Sequence, residues 1–141
     1  MADQIAQLAT ALKTAGQSLT TARRTVFEAL LDAEPQTMYE LIERCAGVDR
    51  ASVYRAIALF ERLGIVQRLQ TGWKYKLELS DNFQSHHHHA TCLVCGTSTD
   101  LPEDPTLERR LHQLAEARGF QVERHQMELQ GYCEFCKTLN E

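Results

Sequence analysis

The chain has 141 residues, 43% of them hydrophobic and 24% charged, with a formal net charge of −4. That composition excludes a disordered chain and allows one ordinary domain or two small ones. No apolar run approaches the roughly 18 residues of a membrane span, and the amphipathic N-terminus lacks a signal peptide's apolar core. A soluble, cytoplasmic protein without a membrane partner is therefore expected.

Charge is uneven. Residues 1–80 carry ten Lys/Arg against nine Asp/Glu, and residues 81–141 carry five against ten, so a local basic face is compatible with the first part only. Ile5, Leu8 and Leu12 recur at helical spacing and predict a first helix over 3–15, ended by Gly16. Thr20 or Thr21 caps a second helix to about Asp32, with Val26, Ala29 and Leu30 on one face. Pro35 breaks the chain. Thr37 caps a third helix to about Ala46, with Leu41, Ile42 and Cys45 apolar and Gly47 as the stop. The fourth helix lies in DRASVYRAIALFERLG. Val53, Ile57 and Phe60 fall at i, i+4, i+7 and face inward, while Arg55 and Arg62 fall on the opposite face. IVQRL and WKYKLEL then read as two strands around a turn at Gln70, Thr71 and Gly72.

A helix–turn–helix followed by a two-stranded wing is a layout that reads DNA, with the second helix in the major groove and the wing along the backbone. Residues 1–80 are assigned to such a domain. Arg23, Ser52, Tyr54, Arg55, Arg62 and Lys74 are its candidate DNA contacts, with Arg68 a further wing cation able to reach phosphates. The alternative is a plain helical domain with solvated arginines. Cys45 is read as a small buried hydrophobe and Trp73 as an anchor of the wing on the core.

Residues 81–85 are read as a hinge and 86–141 as a metal-binding domain. In SHHHHATCLVCG the histidines 86–89 are internal, four in number, and lead into Cys92-x-x-Cys95, unlike a terminal purification tag. Cys133-x-x-Cys136 supplies a second pair. Paired thiols in a cytosolic chain read as metal ligands before disulfides, and a set of four cysteines suits closed, tetrahedral Zn2+. A redox dithiol is the rival, but it needs only one pair. Between the pairs, Asp104 to Arg118 reads as a helix with Leu107, Leu111 and Leu114 in line, and FQVERHQMEL reads as a strand. His112 is placed on the helix surface. If 86–92 is a strand, His86 and His88 share one face and His87 and His89 the other, so one strand can feed two metal sites. Glu78, Asp81, Asp100, Glu108 and His125 are available to complete them. Four solvated histidines are the bland alternative.

LTTARRTVF, ASVYRAIALFERLGIV, HHHHATCLVCG and the terminal CEFC, in this order, resemble the ferric uptake regulator family of bacterial metal-responsive repressors from about Leu19 to Cys136. The resemblance implies an α+β chain: an N-terminal winged helix-turn-helix domain and a small α/β dimerisation domain with a four-cysteine zinc site. It implies structural Zn2+ at Cys92, Cys95, Cys133 and Cys136. It also implies a regulatory site of Glu78, His87, His89 and Asp100, and a second site of His86, His88, Glu108 and His125. Two departures stand out. Many members carry a histidine before the third helix where this chain reads EPQT, and many carry Asp where it has His88. The segment from Ser80 to Ser85 also looks longer than usual, which leaves Asp81 as a substitute for Glu78.

The expected function is a homodimeric, metal-dependent repressor on a palindromic double-stranded operator, controlling metal-uptake genes. Regulatory Zn2+ is favoured, as in the family's zinc-uptake branch, with Fe2+ next and Mn2+ also compatible with the donors. An iron-based peroxide-sensing repressor and a metal-buffering protein without operator binding are the alternatives. An enzyme is not expected: no His-x-Glu or Pro-Cys-x-x-Cys deaminase signature occurs, and the four cysteines leave no open metal position.

Overall fold

The computed structural model describes residues 1–71, 74–84 and 86–140, without the side chains of Thr71, Leu139 and Asn140. The expectation for Trp73 and that for Gly72 as a turn residue lie outside the described residues. The chain divides into two compact units, 1–85 and 86–141.

The first unit is a winged helix. Helices α1 (Ala2–Thr14), α2 (Thr21–Leu30), α3 (Met38–Arg44) and α4 (Arg50–Arg62) precede the antiparallel strands β1 (Val66–Thr71) and β2 (Lys74–Leu79). Each helix start after the first has its chemical signal. Thr20 accepts from Arg23 N, Thr37 forms a capping box with Glu40, and Asp49 accepts from Ser52 N; each side chain satisfies a backbone donor that the helix leaves open. The apolar stripes then meet in one core, where Leu8, Leu12, Phe27, Leu41, Val53 and Phe60 are fully buried.

Two features fix the wing. Gly64, at φ +73°, ends α4 in a Schellman motif, with Gly64 N donating to Glu61 O and Ile65 N to Phe60 O; the left-handed conformation is open to glycine at little cost. Gln36, ahead of α3, exchanges both backbone hydrogen bonds with Leu77 of β2. The hairpin differs from expectation in one respect. Gln70 pairs with Tyr75 and Thr71 with Lys74, so Gln70 and Thr71 are strand residues and not part of the turn.

Residues 81–84, expected as part of a hinge, pack with the first unit. Phe83 is buried and meets Phe27 edge-on, with centroids 5.2 Å apart, and Gln7 Nε2 donates to Asn82 O at 2.8 Å. The aromatic ring draws the segment in, a pull that its length and polarity conceal.

The second unit is a three-stranded sheet and one helix, completed by a 3-10 turn at Lys137–Asn140. Strand β3 (His88–Cys92) lies between β4 (Ser98–Leu101), antiparallel, and β5 (Glu128–Gly131), parallel; α5 (Pro105–Glu116) connects β4 to β5. Two expectations are corrected here. The long strand over FQVERHQMEL is extended ladder only from Glu128 onward, because β3 offers partners only over His89–Cys92. His86 and His87 precede β3 and do not belong to it. Strand β4 is not foreseen from the sequence, although the β-branched Thr99 lies there. No helix among the described residues is long and apolar enough to cross a membrane.

Candidate metal centres and nucleic-acid surface

The four cysteines converge, with sulfur atoms all within 4.8 Å of one another. None is in a disulfide. Cys95 Sγ and Cys133 Sγ are 3.8 Å apart, close to the ~3.8 Å edge of a tetrahedron with Zn–S bonds of about 2.3 Å. Local turns present the thiols. Cys95 N donates to Cys92 Sγ at 3.5 Å and Gly96 N to Cys92 O at 3.0 Å, with Gly96 at φ +76°. Backbone donors from Cys95 and Cys133 lower the Cys92 thiol to about 6. The Cys133 sulfur, followed by burial, pushes Cys136 up to about 12. Thiols clustered in this way bind a cation as thiolates and release their protons when it enters.

The histidine run sorts by parity. The His86 and His88 ring centroids are 4.7 Å apart, and those of His87 and His89 4.5 Å. On the even side, His88 Nε2 lies 2.6 Å and His86 Nε2 3.3 Å from Glu108 Oε1, and His125 Nε2 contacts Glu108 Oε2. His86 Nε2 and His125 Nε2 are 3.1 Å apart. The four donor atoms all lie within 4.8 Å of one another, close enough to share one ion after small side-chain adjustments. Pro105 at the helix start and Asp104, which accepts from Thr106 N and Leu107 N, fix the first turn of α5 that carries Glu108. Burial alone would raise the Glu108 carboxyl. The His88 hydrogen bond and the His125, His86 and His88 imidazoles outweigh it and hold the carboxyl below its usual range. The residues present thus fit a cation bound by three imidazoles and one carboxylate.

On the odd side, His89 faces Asp100 across the β3–β4 ladder, with Nε2 and Oδ1 3.5 Å apart. Glu78, on β2 of the first unit, is buried and accepts from Gln67 Nε2 at 2.7 Å, whereas Asp81 is exposed. His112, expected at the surface, is half-buried with its ring 5.9 Å from that of His125; the i, i+4 spacing from Glu108 is the signal that could have found it.

In the first unit, Tyr54, Arg55, Arg62 and Lys74 are exposed. Ser52 is engaged locally: its Oγ donates to Asp49 Oδ1 at 2.6 Å and accepts from Arg55 Nη2 at 3.1 Å. Arg23 straps the α1–α2 connection, donating to Ser18 O at 2.6 Å and Gln17 Oε1 at 3.2 Å. Arg68 turns toward α4 and pairs with Glu61 at 2.7 and 3.0 Å.

A winged helix joined to a unit with clustered thiol and imidazole–carboxylate donors defines a metal-dependent transcription regulator. Residues 14–130 match the ferric uptake regulator family, and the chain belongs to it; members are regulators, not enzymes. The ferric uptake regulation protein of Bordetella parapertussis is 39% identical over 99 residues, covering 69% of this chain and 68% of that protein. The Escherichia coli K12 protein of the same name is 33% identical over 131 residues, covering 88% and 86%. The crystal structure of the Vibrio cholerae ferric uptake regulator is 32% identical, covers 88% of this chain and 98% of its own, and superposes with a TM-score of 0.69.

Proposed function

We propose that the protein is a homodimeric repressor that binds a palindromic operator when loaded with metal and controls metal-uptake genes, with Zn2+ as the regulatory ion. The observation that supports the choice of metal is the donor set proposed for regulation, in which the His87 and His89 rings lie 4.5 Å apart and His89 Nε2 lies 3.5 Å from Asp100 Oδ1. Two imidazoles and two carboxylates, with no histidine in EPQT to add a further donor, suit four-coordinate zinc better than the oxygen-rich, six-coordinate surroundings that Mn2+ favours. Structural Zn2+ is assigned to Cys92, Cys95, Cys133 and Cys136. The regulatory site is assigned to His87, His89 and Asp100, with Glu78 as the donor from the winged helix. Such a set prefers the same conformer that DNA prefers, so metal and operator affinities couple, typically by about 1–3 kcal/mol.

Homodimerisation is supported by the second unit's surface. Its helix α5 buries no residue, and Leu114, Phe120, Leu129 and Tyr132 are each at least half exposed. A second copy covers such surface by symmetry. DNA contacts are assigned to Arg23, Ser52, Tyr54, Arg55, Arg62 and Lys74. Iron is the second reading, favoured by the ferric uptake regulation proteins at 33–39% identity. The test is anaerobic selection of duplex DNA from a randomised pool by protein loaded with Zn2+, Fe2+ or Mn2+ in turn. A palindrome enriched with Zn2+ at the lowest free-metal concentration is expected. Enrichment first with Fe2+ reverses the choice of metal, and no enrichment with any ion overturns the repressor reading.

A further inference from the structure

Arg68 is the wing cation that the sequence offers to DNA, but the hairpin register turns it elsewhere. Arg68 pairs with Leu77 across the ladder, so its side chain shares the face of Val66 and Leu77, the face that packs on the helical core. From there its guanidinium makes two parallel bonds to Glu61 of α4, Nε to Oε2 at 2.7 Å and Nη2 to Oε1 at 3.0 Å. It also stacks over the Tyr75 ring at 4.1 Å from the centroid. The helix, β1 and β2 are thereby clamped by one side chain. Planar, bidentate geometry on a carboxylate and stacking on an aromatic face are both specific to arginine.

The clamp sits beside the DNA-reading stripe. Tyr54, Ala58 and Glu61 follow one another at i, i+4, i+7 on α4 and form one wall of a cleft of about 310 Å³, whose other walls include Met38, Arg68 and Tyr75. The angle between wing and recognition helix at this cleft decides whether both can touch one duplex, and it is set where Arg68 bridges them. Glu61 and Arg68 are partly exposed, 26% and 50% by side chain, so the pair contributes little to global stability.

We propose that Arg68 is a positioning residue for DNA recognition, holding the wing against the recognition helix through Glu61 and Tyr75 and making no phosphate contact of its own. This rests on the repressor reading, and the experiment separates the two failures. The probe is the duplex selected by the metal-loaded wild-type protein; if no duplex is selected, it is the repressor reading that falls. With a duplex in hand, operator affinity is measured against salt for wild type, Arg68→Lys, Arg68→Ala, Glu61→Gln and the Arg68→Lys/Glu61→Gln double variant, with thermal midpoint and metal content as controls. Each single variant is expected to bind roughly tenfold more weakly, about 1.4 kcal/mol. The double variant should be no weaker than either single variant, and the slope of log affinity against log salt should be unchanged. The sign for Glu61→Gln is the sharpest readout, because removing an acid beside DNA strengthens binding by charge alone. If Glu61→Gln binds more tightly, or if Arg68→Ala lowers the salt slope by about 0.9, the loss of one phosphate contact, Arg68 touches DNA and the proposal is overturned.

Discussion

At the scale of single residues, the start of α4 links folding to the proposed DNA contacts. Asp49 caps the helix through Ser52 N and also accepts from Ser52 Oγ, which in turn accepts from Arg55. One carboxylate thus holds both the helix terminus and the side chain that presents Arg55. The Ser52 hydrogen bonds, side chain then backbone, hold the Asp49 carboxyl below its ordinary value of 3.8. A carboxyl depressed in the folded state stabilises fully above its unfolded value, and that contribution disappears as pH falls through the lower folded value. Asp49→Ala should therefore be less stable than wild type at neutral pH, and the gap should narrow as pH falls below 3.8 and through the lower folded value. Urea unfolding of the pair across this pH range checks this; a gap that is undiminished in acid would mean that the charge of Asp49 plays no part.

At the scale of elements, the histidine run divides by parity, with His88 and His89 on opposite faces of β3 and His86 and His87, just before the strand, keeping the same alternation. The side chains of His86 and His88 gather around Glu108 and His125, while His89 turns to Asp100 with His87 beside it. His86→Ala or His88→Ala should reduce the metal bound per chain with a small effect on metal-activated DNA binding. His87→Ala or His89→Ala should abolish that activation, since a ligand shifts an equilibrium only by its differential affinity for the two states. Metal stoichiometry and operator binding for all four variants decide it, and effects that do not sort odd against even would merge the two sites into one. The parity was legible in the sequence because it needs only an extended backbone, and helices α2 to α4 were legible because Thr20 and Thr37 announce two starts and Val53, Ile57 and Phe60 keep helical spacing in the third. Other features were not. Phe83 binds residues 81–84 to the first unit through a contact with Phe27 that is remote in sequence. Arg68 reads as a wing cation until the register with Leu77 shows which face it occupies. The ladder over residues 120–127 failed because alternation specifies a face and not a partner strand.

At the scale of the whole molecule, the two units draw stability from different sources. The first has a continuous apolar core running from Leu8 to Phe83. In the second, the only buried hydrophobic residues among those described are Cys92 and Cys136, both members of the thiol cluster. A unit this poor in buried apolar area cannot offset its own chain entropy. Two additions can supply the difference: a structural zinc, worth on the order of 10–16 kcal/mol in small sites, and a second copy over the exposed apolar surface. Removing the metal should therefore unfold the molecule in halves. Cys92→Ser or Cys133→Ser should release one zinc per chain and dissociate the dimer. Amides of β3, β5 and α5 should then exchange at unfolded rates, while those of α2 and α4 stay protected. Hydrogen exchange read element by element, with mass measured in solution, tests this. Protected α5 amides in a zinc-free dimer would show that the second unit folds without its metal, and collapse of α2 and α4 with it would show that the first unit depends on the same ion.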